Sequence, residues 1–112
     1  MEFEQAKIEI YIPPDYVVPL RDALSEVGAG HIGAYDHCVS ITQVSGYWRP
    51  LEDAKPFLGE LGQVCEGTEC KVEVRCRREL IPEAVRVIRK IHPYEEPVIN
   101  IVPLANHLFG VH

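Results

Sequence analysis

Two segments in which apolar and polar residues alternate strictly constrain the fold of this chain more than any other feature. In residues 6–12, Ile8, Ile10 and Ile12 fall on one side of an extended chain, and in residues 70–77 two valines and two cysteines do the same. A period of two residues is the signature of a strand with one buried face and one solvated face. Both segments are therefore predicted to be half-buried strands.

Each of these strands is followed by a stretch with helical periodicity. The first apolar stripe ends at Gly28 and Gly30, and the second ends at Pro93, residues that commonly follow a helix. Asp15 is the expected cap of the first helix, and Pro82 fits the first turn of the second. The two stripes consist of Val17, Leu20, Leu24 and Val27, and of Ile81, Ala84, Val85, Ile88 and Ile91.

Two further strands complete the pattern. Residues 38–46 form one, with a change of apolar phase after Ile41 that predicts a bulge or a strand end. Residues 98–102 form the other, which Pro103 is expected to stop. The order β-α-β-β-α-β predicts an α+β, ferredoxin-like fold, with a four-stranded antiparallel sheet in the order 4-1-3-2 and both helices on one face. We expect residues 1–112 to form a single domain.

The charge and the cysteines of the chain exclude several classes of function. A formal net charge of −6 argues against nucleic acid as a partner, because phosphate binding needs clustered lysines and arginines. No apolar run is as long as a membrane span, and the acidic N-terminus is unlike a signal peptide, so a cytoplasmic protein is expected. The four cysteines form no C-x-x-C pair, and we expect free thiols.

The predicted topology gathers the least ordinary residues at one end of the sheet. Residues 47–62 read as a long loop, and a loop of that length in a small domain often carries function. The segment HPYEEP at residues 92–97 reaches the same end. We therefore predict a small-ligand site there, formed by Trp48, Arg49, His92, Tyr94, Glu95 and Glu96. The sequence assigns no catalytic residue.

The chemistry of this end can be predicted in part. The dipole at the end of the second helix favours a protonated His92. Arg49 is the expected ion-pair partner of Glu95 or Glu96, which alternation would send to opposite faces of an extended segment. The alternatives are a helix-ending histidine bound to nearby carbonyls, solvated glutamates, and a Trp48 that only packs beneath the loop.

A metal site is the second possibility, in particular a divalent transition metal. His92 and Glu95 supply two ligands, whereas a stable site needs three or four. Because the topology separates these two residues from His37 and Cys38, the four can meet only across a subunit interface. A connector with a buried structural Cys38 is the alternative interpretation of the second pair. No Ser-His-Asp order and no P-loop is present.

Three motifs in order resemble the YqfO or Nif-three-like family, a family of unknown function in which some members are labelled GTP cyclohydrolase type two homologues. They are GAGHIGAYDHC at residues 28–38, GYWRP through KPFLGE at residues 46–60, and HPYEEP at residues 92–97. The resemblance covers roughly residues 25–104 and concerns the family's inserted domain. In that family the insert is similar to CutA and PII-like proteins, which are ferredoxin-like and usually trimeric.

The resemblance implies three functions in descending order. The first is a small-ligand-binding or regulatory module that acts as a homo-oligomer, dimer or trimer, with sites at subunit contacts. The second is a CutA-like metal-binding protein. The third is a metal-dependent hydrolase, which ranks last because three protein ligands, an open coordination position and a base cannot be assembled within one chain. In the family, the metal-binding histidines and carboxylates belong to flanking segments that these residues do not match.

Overall fold

The strand order predicted from the sequence is confirmed. The computed structural model describes residues 1–112. The elements along the chain are β1 (Gln5–Ile12), α1 (Val17–Glu26), β2 (Val39–Trp48), β3 (Cys65–Arg77), α2 (Ile81–Ile91) and β4 (Ile99–Pro103). All neighbouring strands pair antiparallel, in the order β2-β3-β1-β4, which is the predicted order 4-1-3-2 read from the other edge. Short 3-10 turns precede both helices, and another follows the last strand.

The core lies between the two central strands and the two helices. The strand residues that alternation predicted to face inward are buried: Ala6, Ile8, Ile10 and Ile12 of β1, and Cys70, Val72, Val74 and Cys76 of β3. Leu20 and Leu24 of α1 and Ala84, Val87 and Ile88 of α2 join the same cluster. Both helices therefore cover one face of the sheet, as predicted.

The other face of the sheet is charged. Lys7 lies 3.3 Å from the Glu9 carboxylate and 3.4 Å from that of Glu73, and Lys71 lies 3.2 Å from Glu73. The Lys7–Glu73 pair joins β1 to β3, whereas the other two pairs lie within one strand each, and opposite charges alternate along the central strands. The sheet thus has one apolar and one polar face, as a period of two residues requires.

The second strand departs from its prediction. It has no bulge, because its register with β3 is continuous from Val39 opposite Val74 to Trp48 opposite Cys65. It also extends to Trp48, so that Tyr47 and Trp48 belong to the strand and not to the loop. β2 is an edge strand, and even Ile41 is 49% exposed. Burial therefore does not fix the apolar phase of this strand, and the phase change carries no structural meaning.

The predicted cap of the first helix is wrong. Asp15 does not cap α1; it lies in the 3-10 turn Pro14–Tyr16, and the capping residue Tyr16 makes no side-chain hydrogen bond. The last strand, β4, does end at Pro103, although the proline is its last residue, opposite Ala6, and not the residue after it. An edge strand tolerates proline because the missing N–H can face away from its neighbour.

All four cysteines are free thiols, as expected. Neither helix has the length and apolar character that crossing a membrane would need.

Candidate functional site

A cleft of about 420 Å³ lies between the β2–β3 loop (residues 49–64) and the α2–β4 segment (residues 92–98). Its walls include the apolar groups of Tyr47, Trp48, Phe57, Leu58, Tyr94 and Val98, and its charged groups are Arg49, Glu69, Glu95 and Glu96. We call it the aromatic cleft. The structure therefore brings together five of the six residues predicted for a ligand site, and His92 lies directly behind them.

A chain of aromatic rings fixes the loop to the body of the protein. The ring centroids of Tyr16 and Phe57 are 6.3 Å apart, and those of Phe57 and Tyr94 are 6.0 Å apart. The Tyr94 ring also lies 4.8 Å from the His92 ring. Such edge-on and tilted pairs add to the burial of the rings themselves. Phe57 is thus the residue through which the β2–β3 loop packs on both the 3-10 turn before α1 and the α2–β4 segment.

Two glycines allow Trp48 to form one wall of the cleft. The Trp48 Nε1–H donates to the Leu58 carbonyl at 3.2 Å, which joins the strand to the loop. A Cβ atom at Gly67 would lie 3.0 Å from the indole Cη2, and one at Gly59 would lie 3.0 Å from Nε1. The indole therefore rests against two backbone positions that tolerate no side chain. Trp48 packs beneath the loop, as one interpretation held, and still lines the cleft.

His92 supports the cleft without lining it. The residue is only 7% exposed. Its Nδ1 accepts a hydrogen bond from the Tyr94 backbone N–H at 3.2 Å, so the ring proton must lie on Nε2, which donates to the Tyr11 carbonyl at 2.6 Å. Burial lowers the pKa of His92, although the Tyr11 carbonyl and Glu69 act in the opposite direction. The pKa of His92 therefore shifts against the expected preference for a protonated ring, because burial disfavours the charged form.

Glu69 is a residue of the cleft that the sequence analysis missed. Its Oε2 lies 3.2 Å from the Tyr94 hydroxyl. Burial, and then the Glu69 charge, raises the pKa of Tyr94 to about 12, so this hydroxyl stays protonated and donates to the carboxylate. Glu69 lies on the polar face of β3, next to the buried Cys70. Only the register, which places it opposite Val44 near the loop, distinguishes it from the other glutamates of that strand.

The predicted ion pair of Arg49 does not form. The Glu95 Oε1 instead accepts the backbone N–H of Lys55 at 2.9 Å, and Arg49 takes part in none of the ion pairs of the chain. Glu95 and Glu96 line the same cleft and do not point to opposite faces. The reason is that residues 94–96 form a bend and not an extended strand.

Lowering the pH is expected to destabilise the protein through His92. Its pKa lies below the ordinary value of 6.5, so the unfolded chain takes up a proton before the folded chain does. The stabilising contribution of His92 is thus complete above pH 6.5 and is lost as the pH falls from there through the pKa of His92 in the folded protein.

NMR titration of the His92 ring should show a midpoint below 6.5 and the Nε2–H tautomer. The His92→Gln variant should lose this pH dependence, and the exposed His112→Gln variant should keep it. A midpoint above 6.5 would contradict the assignment.

The opposite end of the molecule holds His37 and Cys38. His37 Nδ1 lies 2.8 Å from Asp36 Oδ1 and 3.2 Å from Ser25 Oγ, and its Nε2 lies 3.5 Å from Asp22 Oδ1. His92 and Glu95 do not join this cluster within the protomer. No group of three or more His, Cys, Asp and Glu side chains is placed to hold a metal ion. The four-residue metal set thus stays a prediction for an assembly of two chains.

A larger depression of about 590 Å³ lies near the N-terminus, lined by Phe3 and by mostly charged or polar groups of residues 4–5, 77–79 and 82. Arg78, one of its two arginines, already contacts the Phe3 ring, at 4.5 Å from the ring centre. The aromatic cleft is the better candidate despite its smaller volume. Small-molecule sites are mostly apolar with a few convergent polar groups, which describes the cleft and not the depression.

Comparisons with known proteins identify two related groups. The family model of the CutA1 divalent ion tolerance protein matches residues 60–108. The "GTP cyclohydrolase 1 type 2 homolog" of Bacillus subtilis (strain 168) is 37% identical over 98 residues, which are 88% of this chain and 26% of that protein. The protein of the same name from Staphylococcus aureus (strain Mu50) is 32% identical over 94% of this chain and 29% of its own length.

The solved structures give the same two groups. The Bacillus cereus protein related to NIF3 superposes with a TM-score of 0.81 and 30% identity, over 93% of this chain and 26% of that protein. CutA1 from Shewanella sp. SIB1 superposes with a TM-score of 0.71 and 20% identity, over 99% and 94% of the two chains, which shows a shared fold. The resemblance drawn from the three motifs is confirmed. The chain spans about a quarter of the length of the curated relatives it matches.

Proposed function

We propose that this chain, which shares its sequence and fold with one segment of the NIF3-related proteins and has a CutA-like architecture, is a ligand-binding module whose site is the aromatic cleft. The observation that supports this most is the composition of the cleft. Aromatic side chains line it together with charged groups, among them Arg49 and Glu96, that make no ion pair within the chain. Apolar walls with a few unpaired polar groups are typical of small-molecule sites.

The construction of the cleft supports the same proposal. Its two sides come from segments far apart in sequence, and one of them is the long loop. The aromatic chain and the Trp48–Leu58 hydrogen bond hold that loop in place before any ligand arrives. A preformed site loses less conformational entropy on binding. The six residues of the proposal are Trp48, Arg49, Tyr94, Glu95 and Glu96 as lining groups, with His92 as the support of Tyr94.

We further propose that the protein acts as a homo-oligomer with the cleft at a subunit contact. Both edge strands expose large apolar groups, Ile41 of β2 at 49% and Ile101 of β4 at 42%. Tyr47 and Leu51 of the cleft are also exposed, at 70% and 59%. Light scattering measures the assembly directly. A mass that is a multiple of the protomer mass is expected, whereas a monomer that still binds ligand would place the whole site within one chain.

A thermal-shift screen of aromatic fragments tests the proposed site. Fragments that bind the folded protein raise its melting temperature, and the increase should vanish in the Trp48→Ala variant, which lacks one wall of the cleft. The control variant is Tyr35→Ala, which removes an aromatic group that is 75% exposed and lies outside the cleft. The proposal fails if no fragment stabilises the protein, or if the stabilisation is the same in both variants.

Metal binding is the second candidate. The matching family model is named for divalent ion tolerance, and His37 is already close to two carboxylates. The site would be shared between protomers, with His37 and Cys38 of one near Glu95 and His92 of the next. Because both ring nitrogens of His92 are engaged in hydrogen bonds, one of these would have to break on metal binding. Elemental analysis of protein purified without a histidine tag, followed by titration with Zn²⁺ and Cu²⁺, distinguishes this candidate from the first.

A further inference from the structure

The charged groups of the aromatic cleft are mostly acidic. Glu69, Glu95 and Glu96 line it, and Arg49 is the single cation of the lining. One oxygen of Glu69 and one of Glu95 have hydrogen-bond partners, the Tyr94 hydroxyl and the Lys55 N–H. Glu96 has neither a hydrogen bond nor an ion pair within the chain. The cleft therefore keeps carboxylate oxygens that can accept further hydrogen bonds, and a ligand is their remaining partner.

The aromatic groups of the lining also favour a positively charged ligand. Four of its members are aromatic: Tyr47, Trp48, Phe57 and Tyr94. The face of an aromatic ring is the negative end of its quadrupole, so it attracts a cation and repels an anion. The carboxylates and the ring faces thus both favour a cation over an anion. The phosphate groups of a nucleotide would meet three glutamates and a single arginine, and no residue of either helix lines the cleft to offer its N-terminal N–H groups.

We infer that the cleft takes a small organic cation with an aromatic or apolar body, of the class of protonated amines. This inference rests on the proposed function, since it names the ligand class of the same site. The body of the ligand packs against Trp48 and Phe57, and the ammonium group donates to the free carboxylate oxygens of Glu96 and Glu69. A volume of about 420 Å³ suits a molecule of this size and not a polymer.

A series of three indoles that differ in charge tests the inference. Tryptamine is the cation, 3-methylindole is neutral, and indole-3-propionate is the anion. Titration calorimetry should show tryptamine binding about fivefold or more tightly than 3-methylindole, and indole-3-propionate binding most weakly. The advantage of tryptamine should decrease as NaCl is added, because salt screens exposed charges.

Matched variants assign the effect to the cleft. Glu96→Gln should remove part of the preference for tryptamine and leave the affinity for 3-methylindole unchanged. Glu26→Gln, which makes the same charge change at the end of α1, should leave both affinities unchanged. If 3-methylindole or indole-3-propionate binds in the cleft as tightly as tryptamine, the cation assignment is wrong and the proposed function stands. If none of the three binds there, the proposed function fails as well.

Discussion

The Gly67→Val substitution is expected to weaken ligand binding in the aromatic cleft about tenfold or more, a loss of roughly 1.4 kcal/mol. A Cβ at this position already lies 3.0 Å and 3.2 Å from two carbons of the Trp48 ring, and valine adds two methyl groups beyond it. The indole must therefore move, and its hydrogen bond to Leu58 breaks. Fragment titration measures the loss, and the emission of Trp48, the single tryptophan of the chain, should shift to longer wavelength.

The control for this variant is Thr68→Val, which introduces the same side chain one residue further along β3. Thr68 points to the opposite face of the sheet and is exposed. It should change neither ligand affinity nor tryptophan emission, and both variants should keep the folded sheet by circular dichroism. Unchanged binding by Gly67→Val would show that the indole wall is not part of the site.

The Ile10→Ala substitution is expected to lower the free energy of unfolding by about 2–5 kcal/mol, the range for large-to-small changes in a well-packed core. Ile10 is fully buried at the centre of β1, between the partners Val72 of β3 and Ile99 of β4. Removing three carbons there leaves a cavity beneath both helices. Urea denaturation measures the change.

The control variant is Ile101→Ala, on the edge strand β4, where the side chain is 42% exposed; it should lower the free energy of unfolding much less. Equal losses in the two variants would contradict the assignment of the core.

The fold could be predicted from the sequence because its central strands are constrained on both sides. β1 and β3 have neighbours on each edge and helices on one face, so every second residue is buried. The alternation of apolar and polar residues in β1 and β3 therefore predicts correctly which side chains are buried. β2 lacks these constraints, and its apolar pattern predicted a bulge or a strand end after Ile41, neither of which exists. Sequence patterns are reliable where burial is enforced and uninformative at an exposed edge.

The candidate site was predictable in its location but not in its pairings. The topology alone placed Trp48 and Arg49 near Tyr94, Glu95 and Glu96, and the structure agrees. The opposite orientation of the glutamates is wrong, because it assumed an extended segment where the chain bends. The Arg49 ion pair does not form, and Glu95 instead accepts the Lys55 backbone N–H. The protonation state of His92 was not predicted because it depends on burial of the ring in the folded chain, where Nε2 meets the carbonyl of Tyr11, far away in sequence. Such tertiary contacts leave no local signal.

The central claim is that the β2–β3 loop and the α2–β4 segment together form one ligand site. Titration of the ¹⁵N-labelled protein with tryptamine, followed by amide and indole NMR signals, tests it most directly. The account predicts shifts confined to residues around Trp48, Phe57 and Tyr94–Glu96, with the Trp48 Nε1–H among the most affected. Shifts centred on His37 and Cys38, or saturable binding that leaves the Trp48 signal in place, would contradict it.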